Sequence, residues 1–183
     1  MLRTLKATAL ILTLCTSSLL AANTVVVGGQ AMFPAKDIID NAVNSADHTT
    51  LVAAVKAAGL VDTLKGKGPF TVFAPTNAAF GKLPAGTVES LIKPENKETL
   101  TQILTYHVVP GKLDFATLTK EIKSGKGTAK LKTVSGETLK ATMNGPHNIQ
   151  LTDEKGAMAN ISTYDVYQSN GVIHVIDSVV LPK

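Results

Sequence analysis

Residues 171–182, Gly-Val-Ile-His-Val-Ile-Asp-Ser-Val-Val-Leu-Pro, restrict the fold more than any other stretch of the 183-residue chain. A strand turns successive side chains to opposite faces. Val172, His174, Ile176, Ser178 and Val180 therefore share one face, and Ile173, Val175, Asp177, Val179 and Leu181 the other. Both faces are mostly apolar and β-branched, the pattern of a strand covered on both sides at the centre of a sheet. Asn170-Gly171 supplies a tight turn ahead of it, and Pro182 ends it by removing a ladder donor. The chain is thus expected to close its core with its last strand.

The other end of the chain has a different character. Arg3 and Lys6 precede an uncharged run over residues 7–20, and the small residues Ala21 and Ala22 follow. This is the layout of a secretory signal peptide, so residues 1–22 are expected to be a leader, cut after Ala21 or Ala22. The run is shorter than the roughly 20 apolar residues a membrane span needs, and stable membrane insertion is not expected. The single cysteine, Cys15, falls in the leader. The exported chain therefore has neither thiol nor disulfide, and bulky Leu14 argues against lipidation at Cys15. The leader holds two of the 18 basic residues and none of the 14 acidic ones. What remains is barely basic, has no Trp and is destined for export, which excludes nucleic acid as a natural partner.

Residues 23–35 read as a flexible arm containing Gly28-Gly29. Helical spacing follows in Ile38, Ile39, Ala42, Val43 and Ala46, with Asp37 at the N-terminal end. A second helix over residues 50–58 ends at Gly59, and a short one covers 60–64. A buried strand over 70–74 stops at Pro75, beyond which Thr76 and Asn77 are both candidate N-caps. Leu100, Ile103, Leu104 and His107 line one helix face, and Asp114 opens a helix burying Phe115, Leu118 and Ile122. From residue 128 the chain turns to strands. A three-residue hairpin loop, Val134-Ser135-Gly136, sets Leu131 opposite Leu139 and Ala129 opposite Ala141. Further strands are expected at 149–151, 158–161 and 163–168. Helices early and strands late make the class α+β, not a βαβ repeat.

Three segments carry a family resemblance: Gly68-Pro69-Phe70-Thr71-Val72-Phe73-Ala74-Pro75-Thr76-Asn77-Ala78-Ala79-Phe80, then Tyr106-His107-Val108-Val109-Pro110-Gly111, then Asn170-Gly171-Val172-Ile173-His174-Val175-Ile176-Asp177. In this order and spacing they closely resemble the fasciclin (FAS1) domain: its two homology blocks and, between them, its Tyr-His motif. The resemblance covers about residues 38–181, so a single domain is expected over 36–183. It implies a wedge of β-sheet carrying a helical layer, and adhesion to cell-surface or matrix protein or glycan, as in small secreted bacterial fasciclin proteins. It also implies two contact motifs, Tyr106-His107 and Asp165-Val166, the second a partial match because Val stands where the family has Ile.

Read as chemistry, the candidates favour binding over catalysis. His107 and His174 sit in apolar patterns and are expected to be core residues whose ring nitrogens need partners, with Thr76, Asn77 or Asp177 as suppliers. No ligand-spaced cluster points to a metal and no motif to a cofactor. His174 and Asp177 face opposite ways on a strand, and no nucleophile elbow exists. Lys126, Lys130, Lys132 and Lys140, with Lys120 and Lys123, crowd one part of the chain. In the preferred hairpin register Lys130 and Lys140 lie directly opposite, which is unfavourable unless an anion neutralises them. An acidic polysaccharide or an anionic membrane surface is the natural partner of such a face. The alternative is lysines that only protect an edge. A monomer or weak dimer is expected.

Overall fold

The computed structural model describes residues 24–183, so the expected leader, with Cys15, lies outside the described residues. β1 (Val25–Val27) and β2 (Gln30–Met32) pair as an antiparallel hairpin. A flexible arm was expected here. Instead Val27 and Met32 bury their side chains in the core, and that burial anchors the segment. Gly28 makes the turn possible, since its φ is +59° and a Cβ there would meet Ser45 Oγ at 2.5 Å.

A helical layer follows. Asp37 caps α1 (Ile38–Ala42), its Oδ1 accepting from Asp40 N at 2.8 Å. The helix ends at Ala42, earlier than the spacing through Ala46 suggests, and Ala46 instead opens a short 3-10 turn. α2 (Thr49–Ala58) buries Leu51, Ala54, Val55 and Ala58 and stops where Gly59 adopts a left-handed conformation. α3 (Val61–Lys65) leads into β3 (Phe70–Pro75), which runs one residue further than expected and includes the proline. α4 (Asn77–Gly81), α5 (Thr87–Leu91) and α6 (Lys97–Tyr106) complete the layer, with Leu100, Ile103 and Leu104 on the buried face of α6. β4 (Val108–Pro110) then precedes α7 (Phe115–Ser124), which Asp114 caps and which buries Leu118 and Ile122.

Five more strands finish the chain: β5 (Thr128–Lys132), β6 (Thr138–Met143), β7 (Ile149–Thr152), β8 (Met158–Gln168) and β9 (Gly171–Ile176). β5 and β6 pair in the expected register, with Ala129 opposite Ala141, Lys130 opposite Lys140 and Leu131 opposite Leu139. The two short strands expected within 158–168 are one strand, interrupted by bulges between Ile161 and Val166. The sheet order is β4-β3-β9-β8-β7-β6-β5. β9 thus sits inside the sheet, parallel to β3 and antiparallel to β8, with all six residues buried. It ends at Ile176 rather than running to Leu181. Gly171 is its first residue, not part of the turn, pairing with Phe70 and Gln168, and glycine is needed there because a Cβ would meet Phe70 O at 2.1 Å.

The sheet is strongly curved. Val134 N, in the β5–β6 turn, donates to Val108 O of β4 at 2.8 Å, joining the two ends of the strand order and covering part of both edges. The core accordingly divides in two. One cluster lies between the helical layer and the sheet, around Ile38, Val55, Leu104 and Ile173. The other fills the β-rich half beneath α7, around Leu118, Leu139, Leu151 and Ile176. The architecture is α+β: a curved sheet packed against helices.

Candidate functional site

The three motif segments converge where β3, the end of α6 and β9 meet. Phe73 is the register partner of His174, and the two rings stack with centroids 5.7 Å apart. Phe73 N donates to His107 O at 2.9 Å, which ties the first segment to the second. His107 is the C-cap of α6. Its Nδ1 donates to Ile103 O at 2.8 Å and its Nε2 accepts from Val180 N at 3.3 Å. His174 is wired the other way round, with Nε2 donating to Leu113 O at 2.7 Å and Nδ1 accepting from Asp165 N at 3.3 Å. The two buried imidazoles are therefore neutral and held in opposite tautomers by the backbone groups they serve. Burial holds the His107 pKa down at about 4 and also lowers that of His174.

The expected partners are corrected by this geometry. Thr76 caps α4, accepting from Ala79 N at 3.2 Å. Asn77 joins α4 to α2, accepting from Thr50 N at 3.0 Å and donating to Ala46 O at 2.9 Å. Asp177 accepts from Asn160 N at 2.8 Å. None of the three serves a histidine. The backbone groups at a helix end, a loop and the C-terminal tail had no ladder partner, and the imidazoles satisfy those groups instead.

The contact motifs fare differently from one another. Tyr106 is 0 % exposed, with its hydroxyl donating to Thr138 O at 3.1 Å, and burial pushes its pKa up to about 12. His107 is 3 % and Val166 1 % exposed. The family resemblance implies that these three residues touch a partner, but in the folded domain they are core, which for His107 is what its apolar sequence pattern implies. Asp165 is half-buried and structural. It sits on the β8 bulge with φ 55°, a conformation Asp tolerates better than most residues, and its Oδ1 accepts from Phe115 N at 2.8 Å. With Asp114 accepting from Thr117 N at 2.9 Å, two carboxylates hold the N-terminus of α7. Beside this clip, Lys112 Nζ lies 4.5 Å from the centre of the Tyr167 ring.

The lysines remain in solvent. Lys126, Lys130, Lys132 and Lys140 are all exposed. Lys130, Lys132 and Lys140 project from the side of β5–β6 opposite to buried Ala129, Leu131, Leu139 and Ala141. Among the described residues, the ion pairs are Lys65 with Asp37 and Asp40 and Lys82 with Asp177, so none involves these lysines.

Comparison with known proteins follows the same motifs. The fasciclin domain model matches residues 46–182. The chain belongs to the fasciclin domain family. Among its relatives, Protein sll1483 of Synechocystis sp. is 48 % identical over 159 residues, covering 86 % of this chain and 79 % of that protein. The Immunogenic protein MPB70 of Mycobacterium bovis is 37 % identical over 146 residues, covering 77 % of this chain and 66 % of that protein. A FAS1 domain pair from the insect cell adhesion molecule Fasciclin I shares the fold, with a TM-score of 0.70 at 19 % identity over 81 % of this chain and 52 % of that one. In this fasciclin domain the hairpin β1–β2 and α1 precede the matched span, yet both contribute to its first core cluster.

Among the buried polar groups that the sequence pattern does not single out are His48 and Asn41. His48 is buried, with Nδ1 2.8 Å from Ser45 Oγ, and burial lowers its pKa. Asn41 donates to Gln168 and to Phe33 O, tying the segment before α1 to the end of β8. Neither lies in a recognisable motif. The one available signal was a polar residue inside an apolar helical pattern, as at Asn41.

Proposed function

We propose that this fasciclin domain is an exported binding module that makes adhesive contacts with cell-surface or matrix components. The observation carrying the reading is family membership across residues 46–182, together with a fold shared with a pair of domains from an insect cell adhesion molecule. The local chemistry supports binding over turnover. Both ring nitrogens of His107 and of His174 are committed to backbone groups, and Asp177 is committed to Asn160. Export follows from the leader pattern of residues 1–22, and no helix among the described residues is long and apolar enough to cross a membrane.

Two surface regions are candidates for the contact. At Asp165 the carboxylate is already spent on α7, and its neighbour Val166 is core. The lysine-bearing side of β5–β6 carries exposed cations with no ion pair to any carboxylate of the described residues, and it is the better candidate for the contact. The purified protein, immobilised, should retain cells or matrix extract. Lys130→Glu/Lys140→Glu should lose that retention while Asp165→Asn keeps it. A folded wild-type protein that retains neither would overturn the adhesive reading.

A further inference from the structure

We infer that the outer face of β5–β8 is a docking surface for a linear acidic polysaccharide laid across the strands. The inference rests on the binding role proposed above and specifies the partner of that surface. Strand register arranges the outer side chains in transverse rows. One row reads Lys130, Lys140, Thr152, Met158 from β5 to β8. The next reads Thr128, Thr142, Gln150, Asn160. Neighbouring strands lie about 4.8 Å apart, so each row offers a side chain at a regular short interval along a line perpendicular to the strands.

The two rows divide the chemistry of an acidic sugar chain between them. Lys130 and Lys140, with Lys132 beside them on β5, meet carboxylate or sulfate groups. The hydroxyls and amides of the second row donate to and accept from sugar hydroxyls. Those amides are already ordered: Asn160 Oδ1 accepts from Gln150 Nε2 at 3.1 Å and from Asn144 Nδ2 at 3.3 Å, and its Nδ2 donates to Asp177 Oδ2 at 3.2 Å. Met158, 58 % exposed at the far end of the lysine row, gives the C–H face of a sugar ring something apolar to rest on. In the free protein Lys130 and Lys140 repel one another across the strand pair, and an anion between them removes that repulsion.

The cationic path does not end at the sheet. Lys120 of α7 and Lys130 of β5 line the same cleft of about 580 Å³ between the helix and this edge strand, and among the described residues Glu121 is the one acid lining it. A chain crossing the face from β7 to β5 can therefore continue over the edge towards Lys120. The composition of the face favours a polysaccharide over a membrane. An interfacial membrane binder buries an apolar side of its own in the headgroup region, whereas here Met158 is the only large apolar side chain in the two rows.

The test is equilibrium binding of the purified protein to alginate, to chondroitin sulfate, to neutral dextran, and to vesicles of equimolar phosphatidylcholine and phosphatidylglycerol. Alginate or chondroitin sulfate should bind and dextran should not, with affinity falling steeply as salt rises. Lys130→Glu/Lys140→Glu should weaken binding by about tenfold or more, Lys130→Gln/Lys140→Gln by less, and Asp165→Asn not at all. Thermal melts show whether each variant is folded. Acidic glycan binding that ignores both salt and the lysine substitutions overturns the inference, as does a preference for the anionic vesicles. Cell retention without acidic glycan binding overturns this inference and leaves the adhesive role standing. Lysine-dependent glycan binding without cell retention does the reverse.

Discussion

The junction around His107 and His174 and the open face around Lys130 and Lys140 treat their polar groups in opposite ways. At the junction each ring nitrogen is removed from water and repaid by a backbone partner, so the imidazoles stay neutral and join segments far apart in the chain. On the face the ammonium groups are exposed, and like charges stand opposite each other with no carboxylate of the described residues paired to them. A buried polar group is valuable to the fold only when fully satisfied, while an exposed unpaired charge costs little and remains free for a partner. The segments by which the family is recognised therefore belong to the inside. The surface proposed for binding comes from the stretch between them, where no motif is present.

Removing an imbalance-free group from the junction should do the most damage. His107→Ala leaves Ile103 O and Val180 N without their partner and opens a cavity, and should cost about 3–5 kcal/mol in denaturant unfolding. An unchanged midpoint would mean that His107 does not hold the junction together. Acid should reproduce part of this loss without mutation. His107 titrates near 4 in the folded protein against an ordinary value of 6.5, so between those limits the unfolded chain binds more protons. Stability is then full above about pH 6.5 and falls as pH drops, by about 3 kcal/mol from this residue alone by pH 4. The lowered pKa values of His174 and His48 act in the same direction. Melting temperature against pH for wild type and His107→Ala checks it, and parallel profiles would break the assignment.

Asp165 lies between the two regimes, half-exposed yet structural. Asp165→Ala should cost about 1–2 kcal/mol, because it removes the acceptor for Phe115 N and places alanine at φ 55°. Asp165→Asn, which keeps both an acceptor and tolerance of that conformation, should stay within about 0.5 kcal/mol of wild type. Equal losses in the two variants would instead make the charge itself the important feature. On the face, Lys140→Glu sets a carboxylate opposite Lys130 and should stabilise by about 0.5 kcal/mol at low salt, with the gain disappearing at high salt. A destabilisation there would show that the two lysines do not repel in the free protein.

Local rules were legible where a residue acts on its own neighbours. The acidic start at Asp37, the cap at Asp114, the stop at Gly59 and the pairing of Leu131 with Leu139 depend on residues a few positions apart, and the pattern determines them. The apolar faces of residues 171–181 implied a strand covered on both sides, and β9 holds that position over the first six of them. The site was less legible. An apolar pattern shows that His107 and His174 are inside, but many backbone and side-chain groups compete to satisfy them. Which groups win depends on where Leu113, Ile103 and Val180 arrive in space.

The class, the family, the stop at Gly59, the cap at Asp114 and the face on which the lysines of β5 and β6 stand were all legible in the residue order, because each follows from periodicity, capping or order along the chain. That Tyr106 and Val166 are core, that Asp165 clamps a helix, and that residues 25–32 fold back as a packed hairpin depended on contacts made far along the chain. Burial and long-range hydrogen bonding are properties of what the rest of the chain places beside a residue. Val134 meeting Val108, which joins the two ends of the curved sheet, has no local signal at all.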